Sequence, residues 1–170
     1  MRTIWLLVLI CSFNACGGGG GSGGDPAPPA TPTASILAAP IEIGPAMSAA
    51  EITLSLAKRP EPAPVLLETH IELPPELSLP AQDRLSPATP LVTLDGDFVE
   101  DLFVVLCGDG TNPNAAPLPN GDLFRLRVTP TQPRTPGDYT ITFRNLRAAT
   151  RGGEAVPLES ETLTVGVTAR

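Results

Sequence analysis

Few side chains in this 170-residue chain could do chemistry. There is one histidine, His70, and there are three cysteines, Cys11, Cys16 and Cys107. A Ser-His-Asp or Cys-His site would have to use His70. That residue stands between Glu68 and Glu72 in an alternating run, which is the setting of a solvent-facing strand residue. A structural zinc site needs about four Cys, His or carboxylate ligands, and one histidine with one internal cysteine does not supply them. Cys107 closes the apolar run Leu102-Phe103-Val104-Val105-Leu106-Cys107 with no basic neighbour in sequence, so it reads as a buried, inert thiol. Two acidic clusters offer oxygen ligands. One is Asp95-Gly96-Asp97 with Glu100 and Asp101; the other is Asp109-Gly110-Thr111-Asn112-Pro113-Asn114. Calcium takes about six to eight oxygens, and Asp95, Asp97, Asp109 and Asn112 are the residues that would provide them. Neither cluster has EF-hand spacing, and turn formation by Asp, Gly and Asn explains both more simply. No carboxylate pair is singled out for glycoside hydrolysis. The expectation is a protein with no catalytic residues.

The remaining chemical residue is Cys16. It follows a short leader, Met1-Arg2-Thr3 and then Ile4 to Ile10, and it precedes a glycine run. The apolar stretch is far shorter than the ~20 residues a transmembrane helix needs and fits a signal h-region. Phe13-Asn14-Ala15-Cys16 resembles a bacterial lipobox, departing from its usual pattern at Phe13 and Asn14. The resemblance implies cleavage after residue 15 and a diacylglyceryl lipid on Cys16, with no other cofactor. It further implies an extracytoplasmic chain held to the outer membrane or cell surface, as Gly17 is not the Asp that favours inner-membrane retention. Cys11 leaves with the leader and Cys16 is acylated. Cys107 then stays alone, and no disulfide is expected.

Without the leader, ten basic residues face eighteen acidic ones, a net charge of −8. That balance disfavours nucleic acid and anionic lipid as partners. Residues 40–110 carry twelve acids against Lys58, Arg59 and Arg84. Residues 120–151 carry six arginines, among them Arg125, Arg127, Arg134, Arg144 and Arg147, against Asp122 and Asp138. This segregation suits two solvated sheet faces, or a basic patch for an acidic partner.

The elements that must position these residues begin after a tether. Residues 16–34 are rich in Gly, Ser, Pro and Ala, too poor in apolar surface to offset their chain entropy, and serve as a spacer. From residue 35 to 170, short alternating runs are divided by turn residues. Ile52, Leu54 and Leu56 share one face; so do Val65, Leu67, Thr69, Ile71 and Leu73, opposite Glu68, His70 and Glu72. Phe124, Leu126 and Val128 form a third such face, Tyr139, Ile141 and Phe143 a fourth, and Leu163, Val165 and Val167 a fifth. The run Leu102–Cys107 is apolar on both faces and reads as a central strand covered on both sides. Asn120-Gly121, Pro136-Gly137-Asp138 and Arg151-Gly152-Gly153 supply turns. No stretch has a capped helical period. The reading is one all-β antiparallel sandwich, large enough to need no disulfide.

Three segments in order are similar to cohesin domains, the β-sandwich modules that hold dockerins and also occur singly on bacterial surfaces. Leu67 to Leu73 followed by Pro74-Pro75-Glu76-Leu77 resembles the family's alternating strand running into an Asp-Pro-x-x-Leu turn, with Pro74 at the Asp position. Asn120-Gly121-Asp122-Leu123-Phe124-Arg125-Leu126-Arg127-Val128 resembles its Gly-x-Leu-x-x-Leu strand. Pro136-Gly137-Asp138-Tyr139-Thr140-Ile141 resembles its Gly-x-Tyr-x-Ile strand. The resemblance spans residues 40–168 and implies a jelly-roll sandwich of about nine strands, related to carbohydrate-binding modules. A seven-stranded immunoglobulin-like sandwich is the alternative. The family likeness implies a protein partner, one bearing a dockerin among the options. A glycan-binding module is the second reading, weakened because Trp5 leaves with the leader and Phe103, Phe124, Tyr139 and Phe143 fall within strands. A hydrolase is a distant third.

Overall fold

Alternating apolar and polar side chains become strand wherever one face can be buried. The computed structural model describes residues 33–112, 114–133 and 135–170. The leader, Cys16 and the tether up to residue 32 lie outside the described residues. The strands are β1 (Ser35–Ala38), β2 (Ile41–Ile43), β3 (Ala50–Lys58), β4 (Leu66–Glu72), β5 (Leu77–Ser78), β6 (Leu85–Pro87), β7 (Leu94–Val99), β8 (Leu102–Gly108), β9 (Gly121–Pro130), β10 (Gly137–Ala149), β11 (Ala155–Val156) and β12 (Leu163–Ala169). No helix occurs among the described residues. Ala34 is buried, donates to Pro157 C=O at 2.8 Å and accepts from Glu159 N–H at 2.9 Å. The fold therefore reaches back to Ala34, one residue before the boundary that composition suggests.

Two sheets face each other. One runs β1-β3-β9, with β5 and β6 both on the far edge of β9; the other runs β2-β12-β10-β4-β8-β7, with β11 added to β10. Among the named strands only β2 and β12 pair in parallel. The nine expected strands correspond to twelve segments, for local reasons. β1 and β2 are one passage of chain that leaves the first sheet for the second at Ala39-Pro40, where proline has no N–H to give a ladder. β5 and β6 divide one edge between them, and β11 is a two-residue addition. The seven-stranded alternative does not describe this arrangement.

The core lies between the sheets. Phe103, Phe124 and Phe143 are fully buried with Ile52, Leu54, Leu126 and Ile141. Burying each such side chain stabilises the fold by about 1.5–3 kcal/mol. Gly108 ends β8 at φ 98°, and a Cβ there would sit 2.0 Å from the Val65 carbonyl oxygen.

β10 carries an irregularity that decides which side chains face out. Its register with β4 shifts between Arg144 and Arg147, and Asn145 sits at φ 51°. Asparagine tolerates the left-handed region better than most residues. Before the bulge Ile141 and Phe143 point inward; after it Leu146 and Ala148 do. The extra residue leaves Arg144 and Arg147 both exposed, at a spacing of three rather than two. The buried Thr69 hydroxyl donates to the Arg144 C=O at 3.3 Å, satisfying a carbonyl that the bulge disturbs.

Candidate interaction face

The outward side of β10, β4, β8 and β7 is built row by row from strand register. One row sets Arg144 beside His70, His70 beside Val104, and Val104 beside Asp97. The next sets Arg147, Glu68, Leu106 and Asp95 side by side. Leu102 beside Val99 and Thr142 beside Glu72 extend the pattern. The face therefore grades from arginine on β10, through acid and histidine on β4 and an apolar strip on β8, to acid on β7. Here the expectation for Leu102–Cys107 needs correction. Phe103, Val105 and Cys107 are buried in the core, but Leu102, Val104 and Leu106 stay only half-buried, and β8 lies next to the sheet edge. No second layer of described residues covers them. An apolar run looks the same in sequence whether its outer face is covered by the same chain or left for another.

The charged rows are held in place laterally. His70 Nε2 lies 3.1 Å from Glu68 Oε1, and its Nδ1 lies 3.3 Å from Asn145 Nδ2. If the amide donates, Nδ1 is the bare nitrogen and Nε2–H donates to the carboxylate. Arg144 Nη2 lies 2.6 Å from Glu72 Oε2, close but without hydrogen-bond alignment. Neither partner of His70 is a hydroxyl or thiol that the imidazole could activate by taking a proton. Cys107 points into the core from β8 while His70 points outward from β4, so the two cannot form a Cys-His pair.

The other sequence candidates fall elsewhere. Asp95 and Asp97 lie on β7, whereas Asp109 and Asn112 lie in the turn after β8. The Asp109 carboxylate accepts the Thr111 hydroxyl at 2.8 Å and the N–H groups of Thr111 and Asn112 at 3.0 and 3.1 Å. The Thr111 hydroxyl first, and then these backbone donors, hold its carboxyl below the ordinary aspartate range. These are the bonds of a turn. No group of three or more His, Cys, Asp and Glu side chains gathers as metal ligands among the described residues. The arginines also separate: Arg125 and Arg127 lie on β9 in one sheet, beside Thr53 and Glu51, and Arg144 and Arg147 on β10 in the other. They make no single basic patch. Of the aromatics, Phe103, Phe124 and Phe143 are core, and Phe98 is 47% exposed under the Arg84 guanidinium, 5.4 Å from its ring centroid.

No family model matches the sequence, and no curated protein matches it. Solved structures do. A type I cohesin from Clostridium thermocellum, solved in complex with a dockerin, matches with a TM-score of 0.65 at 18% identity, over 81% of this chain and 99% of that one. A cohesin module from a Clostridium perfringens family 33 glycoside hydrolase gives 0.59 at 16% identity, over 82% and 100%. A non-cellulosomal cohesin from the archaeon Archaeoglobus fulgidus gives 0.58 at 13% identity, over 83% and 92%. Identities this low speak to architecture alone, and the architecture agrees with the resemblance carried by the three sequence segments: the chain folds as a cohesin-like β-sandwich.

Proposed function

We propose that this protein is a surface-displayed adhesion module that docks a protein partner on the outward face of β10, β4, β8 and β7. The observation that carries the reading is the apolar strip Leu102, Val104 and Leu106, left half-buried between an arginine row and an acidic row. Apolar centres with charged rims are the layout of protein interfaces: the centre supplies affinity and the rim sets orientation. The solved complexes of similar fold, whose partners are dockerins, support a dockerin-bearing partner. The lipid on Cys16 and the Gly/Pro-rich tether would hold the module at the outer membrane or cell surface, giving it reach and raising its local concentration.

The intact chain, used as bait against the secretome of its source organism, is expected to retain a specific partner. Val104→Lys should abolish that capture, since it replaces the apolar centre of the face with a long charged side chain that the partner would have to desolvate. Thr53→Lys, which adds the same charge on the opposite sheet, should leave capture intact. Equal capture by both variants removes the face from the proposal. Loss of capture on calcium chelation supports a dockerin-bearing partner.

A further inference from the structure

β7 is an edge strand that pairs with β8 and with no other strand among the described residues. Gly108 N–H donates to the Thr93 C=O at 2.8 Å. Hydrogen-bonded pairs alternate along an antiparallel ladder, so Asp95, Asp97 and Val99 also turn their backbone groups toward β8. The backbone groups of Leu94, Gly96 and Phe98 then face away from the sheet. Two of them are already met by side chains. Phe98 N–H donates to Asp97 Oδ1 at 2.8 Å, and Arg84 Nη2 donates to the Gly96 C=O at 3.5 Å. Arg84 and Asp97 are themselves 3.7 Å apart. The Arg84 guanidinium also lies 5.0 Å from the Phe103 ring centroid, and its backbone is fixed where its C=O accepts Arg127 N–H at 2.9 Å.

One arginine–carboxylate pair therefore meets two of these outward backbone groups, the Gly96 C=O and the Phe98 N–H, where a further strand would meet them. Beside it Phe98 and Val99 stay 47% and 53% exposed. Asp95, Asp97, Glu100 and Asp101 lie along the strand and its turn. A second copy of β7 would set these carboxylates against one another, whereas a segment carrying Lys or Arg meets them with opposite charge.

We infer that β7 is a strand-docking edge, held closed by the Arg84–Asp97 pair, whose occupant is an extended basic segment of a partner protein. On docking, the incoming strand donates an N–H to the Gly96 C=O and accepts the Phe98 N–H, displacing Arg84 and Asp97. Its basic side chains pair with the acids of β7. The site uses the backbone edge of β7 and not the β8 strip, and it is read by peptide binding rather than by partner capture, so the two proposals fail separately.

The test titrates the intact chain with a labelled hexapeptide of alternating Lys and Val, followed by fluorescence anisotropy. A second peptide has the same side chains with every backbone nitrogen methylated. The first peptide is expected to bind, Arg84→Gln to tighten binding about tenfold by releasing the edge, and the methylated peptide to lose it. Saturating peptide should slow hydrogen exchange of the Phe98 amide in the wild-type chain. Equal binding of the methylated peptide would reduce the effect to charge attraction and overturn the proposal. An unchanged affinity in a folded Arg84→Gln variant would do the same, as would a Phe98 amide indifferent to peptide. Should Arg84→Gln fail to fold, the exchange measurement on wild type decides alone.

Discussion

Burial pushes the Cys107 thiol up from its ordinary 9.0 to about 12, because the core disfavours the thiolate. The sequence shows this much, since an apolar run without a basic neighbour leaves nothing to stabilise the anion. Two results should follow. At pH 8, iodoacetamide should modify the native protein at least ~100-fold more slowly than the unfolded chain, read by mass spectrometry. Between about pH 9 and 12 the unfolded thiol releases its proton and the folded one keeps it, so stability should fall across that window and be unaffected by this group below it. Rapid native labelling would mean that the strand opens locally. Arg84 shows the limit of legibility at this scale. Its residue type and neighbours in sequence announce a solvated charge. Its contacts with Asp97, Phe98 and Phe103 exist only because the edges of two sheets meet.

At the scale of the element, period-two alternation makes strands legible. Ile52, Leu54 and Leu56 on β3, and Leu67, Thr69 and Ile71 on β4, are buried on the faces their spacing dictates. The bulge in β10 was not legible, because one inserted residue inverts the phase and Arg144-Asn145-Leu146 carries no glycine to mark it. The left-handed backbone at Asn145 makes a discriminating pair of variants. Asn145→Val should lower stability by roughly 1–2 kcal/mol, from a β-branched side chain forced to positive φ. Asn145→Gly should cost distinctly less, although it also loses the contact with His70. Denaturant midpoints decide; equal losses would mean that the side-chain contact, not the backbone, matters there.

For the whole molecule, fold class and layer count follow from many short strands without a helix, and the two-sheet sandwich is what forms. The candidate face was only partly legible. His70 and its flanking acids could be placed on an outward face, but the neighbours across strands could not, because register is a long-range property set by turns and bulges. The charge segregation along the chain did not survive folding as a patch, since β9 and β10 enter opposite sheets. The proposed lipid on Cys16 belongs to this scale too. Cys16→Ala is expected to move the protein from the membrane fraction to the soluble fraction of its host, with loss of metabolic labelling by a fatty-acid analogue. Retention of the variant in the membrane fraction would remove the anchor from the proposal.

The switch of the first strand passage from one sheet to the other at Ala39-Pro40 has a mechanical consequence. A pull applied at Ala34 meets the bridge to Leu158, then the antiparallel ladder of β1 with β3, and then the parallel ladder of β2 with β12. Load entering there is divided between both layers of the sandwich before it reaches the four strands of the outward face. A module built this way can be tugged from Ala34 while the proposed docking face keeps its shape.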